Sequence, residues 1–223
     1  RERRLLRESV GASVSPAVLQ AMLDGDIASQ LGGDSAFVCV LFSDIRGFTT
    51  RSESMTAEAT ITLLNRYFER MVAAVHAEDG AIASFIGDGL MAVFGAPAPL
   101  PNPGASAFRA ACAMHRELDA LNAELAAEGL APIEIGVGLH SGDAVVGRVG
   151  ARRRSDYTAI GDVPNVASRV ESLTKAVGYR IVCTQSVRDA LDPATGLQAL
   201  GGQAIKCHTP VDVFGWGRID GTS

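Results

Sequence analysis

The sequence predicts an α+β fold, a ferredoxin-like mixed sheet covered by helices. Short apolar runs typical of strands alternate with longer segments whose apolar residues recur at helical spacing. Some strands follow one another too closely to have a helix between them, which favours a mixed sheet over a doubly wound parallel one. With 223 residues, of which 47% are hydrophobic and 20% charged, the chain is long enough for one domain with a sizeable core.

Strands are predicted where short runs of β-branched and aromatic residues stand between turn residues. Two such runs flank the Gly-Asp-Gly turn at 87–89, a spacing that indicates a β-hairpin. The Ser-Gly-Asp segment at 141–143 divides two further runs and predicts a second hairpin. In chain order the predicted strands are 36–42, 81–86, 90–94, 133–140, 144–149, 157–160, 179–183, 197–205 and 211–216.

Helices are predicted where apolar residues recur every three or four positions. This spacing holds from Thr56 to about Gly80, and again in the Val-rich stripe of residues 163–177. An Ala-rich segment that follows the prolines of 97–103 predicts a helix to about Glu128. Thr184 is a capping residue for a short helix that ends near residue 191.

Charge and composition exclude several classes of function. The net charge of −5 argues against non-specific nucleic-acid binding, which needs a basic face. The longest uncharged stretch, 89–108, contains four prolines and cannot form a membrane-spanning helix. The cysteines show no metal-site spacing, which favours a reducing, cytoplasmic setting. We expect a cytoplasmic domain without a nucleic-acid partner.

Two aspartates stand at the ends of predicted strands. Asp44 follows the 36–42 strand, and Asp88 lies at the tip of the first hairpin. One interpretation is that both aspartates are turn formers, since Asp beside Gly, as at Asp88, favours turns for local reasons. The alternative is that the fold brings them together. Two like charges then need a cation between them, and a divalent ion is the natural occupant.

Three further features are candidates for binding an anion. Gly47 follows Asp44 closely and allows backbone N–H groups to approach phosphate oxygens. Asn165 and Arg169 lie four residues apart on one helix face, where an amide and a guanidinium can bind one anionic group. Lys206 is an isolated charge in an otherwise uncharged stretch. Solvated surface positions remain the alternative interpretation for all three side chains.

Four segments taken together resemble the class III adenylate/guanylate cyclase catalytic domain. They are FSDIRGFT (42–49), FIGDGLMAVFG (85–95), VGLHSGDAVVGRVG (137–150) and DYTAIGDVPNVASRVE (156–171), and their order and separation also match. The leader VGASVSPAVLQAMLDGD resembles the connector between bacterial cyclase domains and upstream sensor or membrane modules. The resemblance implies a helical connector from an upstream regulatory domain at 1–33, a catalytic domain at 34–217 and a tail at 218–223.

The resemblance also implies an activity: conversion of ATP to 3′,5′-cyclic AMP and pyrophosphate. It implies a head-to-tail homodimer with active sites at the interface, and two Mg²⁺ or Mn²⁺ ions in each site. It assigns metal binding to Asp44, Asp88 and the backbone carbonyl of Ile45; triphosphate binding to Gly47, Phe48, Thr49 and Lys206; catalysis to Asn165 and Arg169, contributed by the second subunit; and further substrate binding to Ser84, Thr158 and Ile160.

The sequence departs from the family pattern where the base is recognised. Ser84 stands four residues before Asp88, where adenylate cyclases of the family carry Lys and guanylate cyclases carry Glu. Thr158 stands where Asp is replaced by Thr in many bacterial adenylate cyclases. Because hydroxyls both donate and accept, they fit adenine or guanine. A guanylate or relaxed-specificity cyclase that accepts GTP is therefore one alternative, and a non-catalytic nucleotide-sensing or dimerisation module is another.

Overall fold

The computed structural model describes residues 32–151, 154–205 and 209–219. Most of the predicted connector, the end of the tail and Lys206 lie outside the described residues. The strands are β1 (Gly32–Ile45), β2 (Ala81–Ile86), β3 (Gly89–Phe94), β4 (Ile135–Ala151), β5 (Arg154–Ile160), β6 (Tyr179–Thr184), β7 (Gln198–Gln203) and β8 (Val211–Arg218). The helices are α1 (Phe48–Glu53), α2 (Ala57–His76), α3 (Pro103–Ala127), α4 (Asp162–Val177) and α5 (Gln185–Arg188), with a 3₁₀ turn at Pro193–Thr195.

The strands form one mixed sheet, so the predicted fold class is confirmed. The strand order is β2-β3-β1-β4-β6-β8-β7, and β5 pairs with β4. Neighbouring strands run antiparallel except for β4 and β6, which are parallel over Val137–Leu139. The succession β1–α2–β2–β3–α3–β4 is the βαββαβ arrangement of ferredoxin-like folds.

The second predicted hairpin is wrong. Residues 141–143 continue the strand, because residues 135–148 of β4 pair with all 14 residues of β1 in one uninterrupted antiparallel register. Ser-Gly-Asp is a turn signal when considered locally, but pairing with the long neighbouring strand overrides that preference. The chain turns later, between β4 and β5. The helix predicted at 184–191 is also shorter than expected, and α1 was not predicted.

The two faces of the sheet are covered by different helices. Residues of β1 alternate between the faces: Cys39 and Leu41 pack with α2 and α3, whereas Val38 and Val40 pack with α4. Asp44 is separated from Val38 and Val40 by an even number of positions, so its side chain projects from the same face of the sheet, the one covered by α4. Among the described residues, no helix is long and apolar enough to span a bilayer.

Side-chain caps define where the two long helices begin. Thr56 Oγ1 accepts a hydrogen bond from the backbone N–H of Ala59 at the start of α2. Asn102 Oδ1 accepts one from Ala105 at the start of α3, where Pro103 occupies the first turn. The starting points of both helices along the chain are therefore determined by local sequence.

Candidate active site

The structure brings Asp44 and Asp88 together. Asp44 is the second-last residue of β1, and Asp88 occupies the turn between β2 and β3. β3 pairs with β1 through Ser43 and Leu90, so the tip of the hairpin lies beside the end of β1. The two carboxyl groups are within hydrogen-bond reach of each other. Partial removal from water and the charge of Asp88 raise the pKa of Asp44 to about 6.

Glycines flank Asp44 on both neighbouring strands. On β4 its cross-strand partner is Gly136, which shares its face of the sheet. On β3, a Cβ atom at Gly89 would lie 3.0 Å from Oδ1 of Asp44 and 2.8 Å from the backbone oxygen of Ser43. A side chain at position 89 would occupy the space that the Asp44 carboxylate uses. Glycine at this position therefore keeps the carboxylate accessible.

The aspartate pair has the chemistry of a divalent-cation site. Carboxylate oxygens are ligands that Mg²⁺ and Mn²⁺ prefer, and a cation between the two groups relieves their repulsion. The side chain of Ile45 is a hydrocarbon buried against the helices, so only the backbone carbonyl of this residue could serve as a ligand. Among the described residues, no third His, Cys, Asp or Glu completes a ligand cluster. The residues present fit a cation that also keeps water or substrate ligands.

The loop after β1 is fixed at both of its ends. Gly47 has a φ of 67°, in the left-handed region that favours glycine, and leads into α1. Phe48 packs against the core below α2 and α3, whereas Thr49 is exposed. Arg51 donates hydrogen bonds of 2.9 and 2.7 Å to the backbone carbonyls of residues 132 and 131. These bonds anchor α1 to the segment that precedes β4.

Ser84 and Thr158 approach the same side chain. Ser84 pairs with Met91 across the β2–β3 hairpin, and Oγ1 of Thr158 lies 4.0 Å from Sδ of Met91. The hydroxyl of Ser84 donates a 3.3 Å hydrogen bond to the carbonyl of Phe85. Ser84 and Thr158 are both partly exposed to solvent. Ile160, two residues beyond Thr158, is 49% exposed. The structure thus brings together the two residues predicted to recognise the base.

Among the described residues of one chain, Asn165 and Arg169 do not bond to the two aspartates. Both project from α4, where Nδ2 of Asn165 donates a 2.9 Å hydrogen bond to the carbonyl of Gly161. Arg169 is partly exposed. Within the described ranges, no hydrogen bond or ion pair joins either residue to Asp44 or Asp88. One chain therefore presents two separate sets of polar groups.

Comparison with known proteins decides the family. Residues 33–216 match the family described as "Adenylate and Guanylate cyclase catalytic domain". The chain belongs to this family. The family and the enzyme class predicted from the four sequence motifs are therefore confirmed.

Relatives of this cyclase domain include both nucleotide specificities. Adenylate cyclase 1 of Rhizobium meliloti is 38% identical over 191 residues, which cover 84% of this chain and 29% of the relative. The crystal structure of adenylyl cyclase CyaB from P. aeruginosa is 32% identical with a TM-score of 0.78, covering 86% of this chain and 98% of that one. The guanylyl cyclase Cya2 is 30% identical with a TM-score of 0.76, covering 86% and 97%.

The cyclase domain also contains a carboxylate near the aspartates that the sequence analysis did not assign. Glu171 lies on α4, partly buried against β4, with Oε1 2.7 Å from the position that a Cβ atom at Gly136 would occupy. Burial first, and the negative charge of Asp44 second, raise the pKa of Glu171 to about 7, while the charge of Arg46 opposes the shift.

A signal for Glu171 was present in the sequence. It lies four residues after Ala167 and three before Thr174, both of which are buried. Residues at these spacings share one face of a helix. A glutamate within the buried stripe of a helix is uncommon unless it has a partner, which makes such a residue a candidate for a functional role.

Proposed function

We propose that this domain converts ATP to 3′,5′-cyclic AMP and pyrophosphate as a homodimer. The observation that carries the proposal is the contact between Asp44 and Asp88, with glycines on both strands beside Asp44, on the scaffold of this family. The names of the adenylate cyclase relatives support ATP as the substrate. The reaction forms a bond from the ribose 3′-oxygen to the α-phosphorus and breaks the bond to the departing pyrophosphate.

Two Mg²⁺ or Mn²⁺ ions would bind in each proposed active site. Their protein ligands would be Asp44, Asp88 and the backbone carbonyl of Ile45. A divalent cation bound there supplies Lewis acidity, lowering the pKa of the ribose 3′-hydroxyl and offsetting triphosphate charge. The loop at Gly47, Phe48 and Thr49 would face the triphosphate, since the first turn of a helix leaves backbone N–H groups available. Lys206, which lies outside the described residues, is proposed as a further triphosphate ligand.

A second copy of the chain would complete the site. Asn165 and Arg169 do not contact the aspartates of their own chain, so each active site would combine the aspartates of one subunit with α4 of the other. Asn165 would orient the ribose. Arg169 would stabilise charge that develops on the α-phosphoryl group in the transition state. Large apolar side chains beside the site, at Ile86 and Ile160, are about half exposed, as expected of a surface that a partner covers.

GTP is a second candidate substrate, and a specific observation favours it. Two residues beside Met91 would meet the purine, Ser84 and Thr158, and neither carries a charge that would fix its hydroxyl as donor or acceptor. Strong rejection of the wrong base needs a fixed, mismatched polar group. We therefore propose at most a modest preference for ATP. Ile160 would line the same region of the substrate site.

Replacing Ser84 with Lys is expected to increase selectivity for ATP. The ammonium group donates but cannot accept, so it matches the acceptor N1 of adenine and opposes the donor N1–H of guanine. We expect the ratio of kcat/KM for ATP to that for GTP to rise at least about tenfold. Thr62→Lys, an exposed position on α2, controls for the added charge. An unchanged ratio in Ser84→Lys would contradict base recognition at this position.

Specific activity is expected to rise with protein concentration across the micromolar range. The isolated domain would dimerise weakly, and only the dimer would contain complete sites. Parallel measurement of mass by light scattering should show the dimer fraction rising over the same range. A flat specific activity in a range where the monomer predominates would contradict a site shared between chains.

Product analysis with Mn²⁺, using ATP and GTP in parallel, tests the function directly. Cyclic AMP in excess supports the adenylate cyclase, and comparable or greater cyclic GMP supports the relaxed or guanylate alternative. Asp44→Asn is the inactive control. Absence of both products, together with nucleotide binding, would support the non-catalytic module instead. The chain spans 29% of the Rhizobium meliloti relative. We also propose that this catalytic domain is regulated by an upstream domain and lies in the cytoplasm.

A further inference from the structure

Helix α4 lies directly on β4 because two glycines leave room for it. A Cβ atom at Gly138 would collide with the backbone nitrogen of Glu171, and one at Gly136 would lie 2.7 Å from Oε1 of the same residue. Gly136 is the cross-strand partner of Asp44, and the two share one face of the sheet. The Glu171 carboxylate is therefore held on the side of the sheet from which Asp44 projects.

Arg46 provides the opposite charge. Its side chain is 17% exposed, and Nη2 donates a 3.1 Å hydrogen bond to the carbonyl of Tyr179 on β6. Nη1 lies 4.0 Å from the exposed carboxylate of Glu134, and Glu171 also acts on the guanidinium electrostatically. Arg46 follows Asp44 by two residues, so the loop after β1 places a positive charge whose field reaches Glu171 on α4.

We propose that Glu171 is a positioning residue that couples the two half-sites carried by one chain. The inference rests on the proposed function, in which Asp44 and Asp88 serve one active site while Asn165 and Arg169 serve the other. Glu171 belongs to the helix that bears the second pair and packs on β4 beside Gly136, the cross-strand partner of Asp44. Among the described residues it does not join the aspartates in a ligand cluster, so its role is to hold rather than to coordinate.

Glu171→Gln separates charge from shape. Glutamine keeps the volume of the side chain, so α4 should stay in place and the melting temperature should change little. Loss of the charge is expected to lower kcat about tenfold, with a smaller change in KM for ATP. Glu171→Asp keeps the charge and should recover part of the loss. Glu134→Gln removes the other carboxylate near Arg46, at an exposed position, and is expected to remain within about twofold of the original chain.

Mixed dimers test the coupling itself. Asp44→Asn and Arg169→Ala chains carrying different affinity tags are purified as heterodimers, which retain one complete site. Its aspartates come from the Arg169→Ala chain and its Arg169 from the Asp44→Asn chain. Glu171→Gln is then added to either chain in turn. We expect both placements to lower kcat by more than about threefold, because coupling variants shift activity in either direction along the connection.

Each result supports or overturns the inference. A response from the chain with intact aspartates alone means that Glu171 acts on the metal-binding half only, and the coupling is wrong. A change below about twofold in both placements overturns any positioning role. Should Glu171→Gln fail to fold, Glu171→Asp takes its place in both positions, where the shorter side chain keeps the charge but draws it back, and two smaller responses are expected. An inactive heterodimer that still carries Glu171 overturns the shared site, and thus the proposed function, before any Glu171 variant is introduced.

Discussion

Arg169→Ala is expected to lower kcat by about 10²–10³-fold, the effect of removing a donor that stabilises transition-state charge. The residue is polar and partly exposed on α4, so the fold and the melting temperature should be unchanged. KM for ATP should rise much less than kcat falls, since the interaction strengthens as charge develops on the α-phosphoryl group. Initial rates with Mn²⁺-ATP measure both constants.

Two controls separate this role from a general loss of positive charge. Arg116→Ala removes an exposed arginine from α3 and should leave kcat unchanged. An equal mixture of Arg169→Ala and Asp44→Asn chains should recover about a quarter of the original activity. Half of the dimers are then mixed, and each mixed dimer has one complete site of two. A fall in kcat of less than about tenfold in Arg169→Ala would refute the transition-state role.

Gly138→Ala is expected to destabilise the domain and abolish activity. The added methyl group would meet the backbone of α4 at the Glu171 nitrogen and Cα, and a helix backbone cannot move aside as a flexible side chain can. Overpacking of this kind costs about 2 kcal/mol, which corresponds to a fall of about 4–8 °C in melting temperature for a chain of this size. Displacement of α4 would also move Asn165 and Arg169. Thermal denaturation and initial rates measure the two effects.

Gly202→Ala is the matched control for this change. Gly202 also lies within a strand, β7, but the nearest atoms to its added Cβ are 3.6 and 3.8 Å away, which is ordinary contact. Its stability should stay within about 1 kcal/mol of the original chain. A Gly138→Ala variant as stable as this control would show that α4 does not depend on its close approach to β4.

The sequence was sufficient to predict elements whose signals are local. The stripe of valines predicted α4 almost to the residue, and the Gly-Asp-Gly turn placed Asp88 at a hairpin tip. The continuity of β4 could not be predicted in the same way. It depends on pairing with β1, about 100 residues earlier in the chain, and this pairing overrides a local turn signal at 141–143.

The candidate site was predictable where one motif contains the chemistry and not where it depends on packing. Asp44, Asp88 and the Asn165/Arg169 pair were found from strand ends and helical spacing. The roles of Gly89 and Gly136 depend on which residues lie opposite Asp44, and that follows from strand register. Glu171 was missed because its importance arises from the crossing of α4 over β4, which no single stretch of sequence specifies.

β1 has a consequence for how a signal could reach the catalytic centre. The predicted connector, residues 1–33, includes the first two residues of the strand, and Asp44 stands near the far end, about 40 Å from Gly32 for a strand of 14 residues. Every residue between them is paired to β4. Pairing along its whole length makes the strand resist bending. A force applied at Gly32 would therefore reorient the whole subunit, and control from upstream would act by changing the relative orientation of the two subunits.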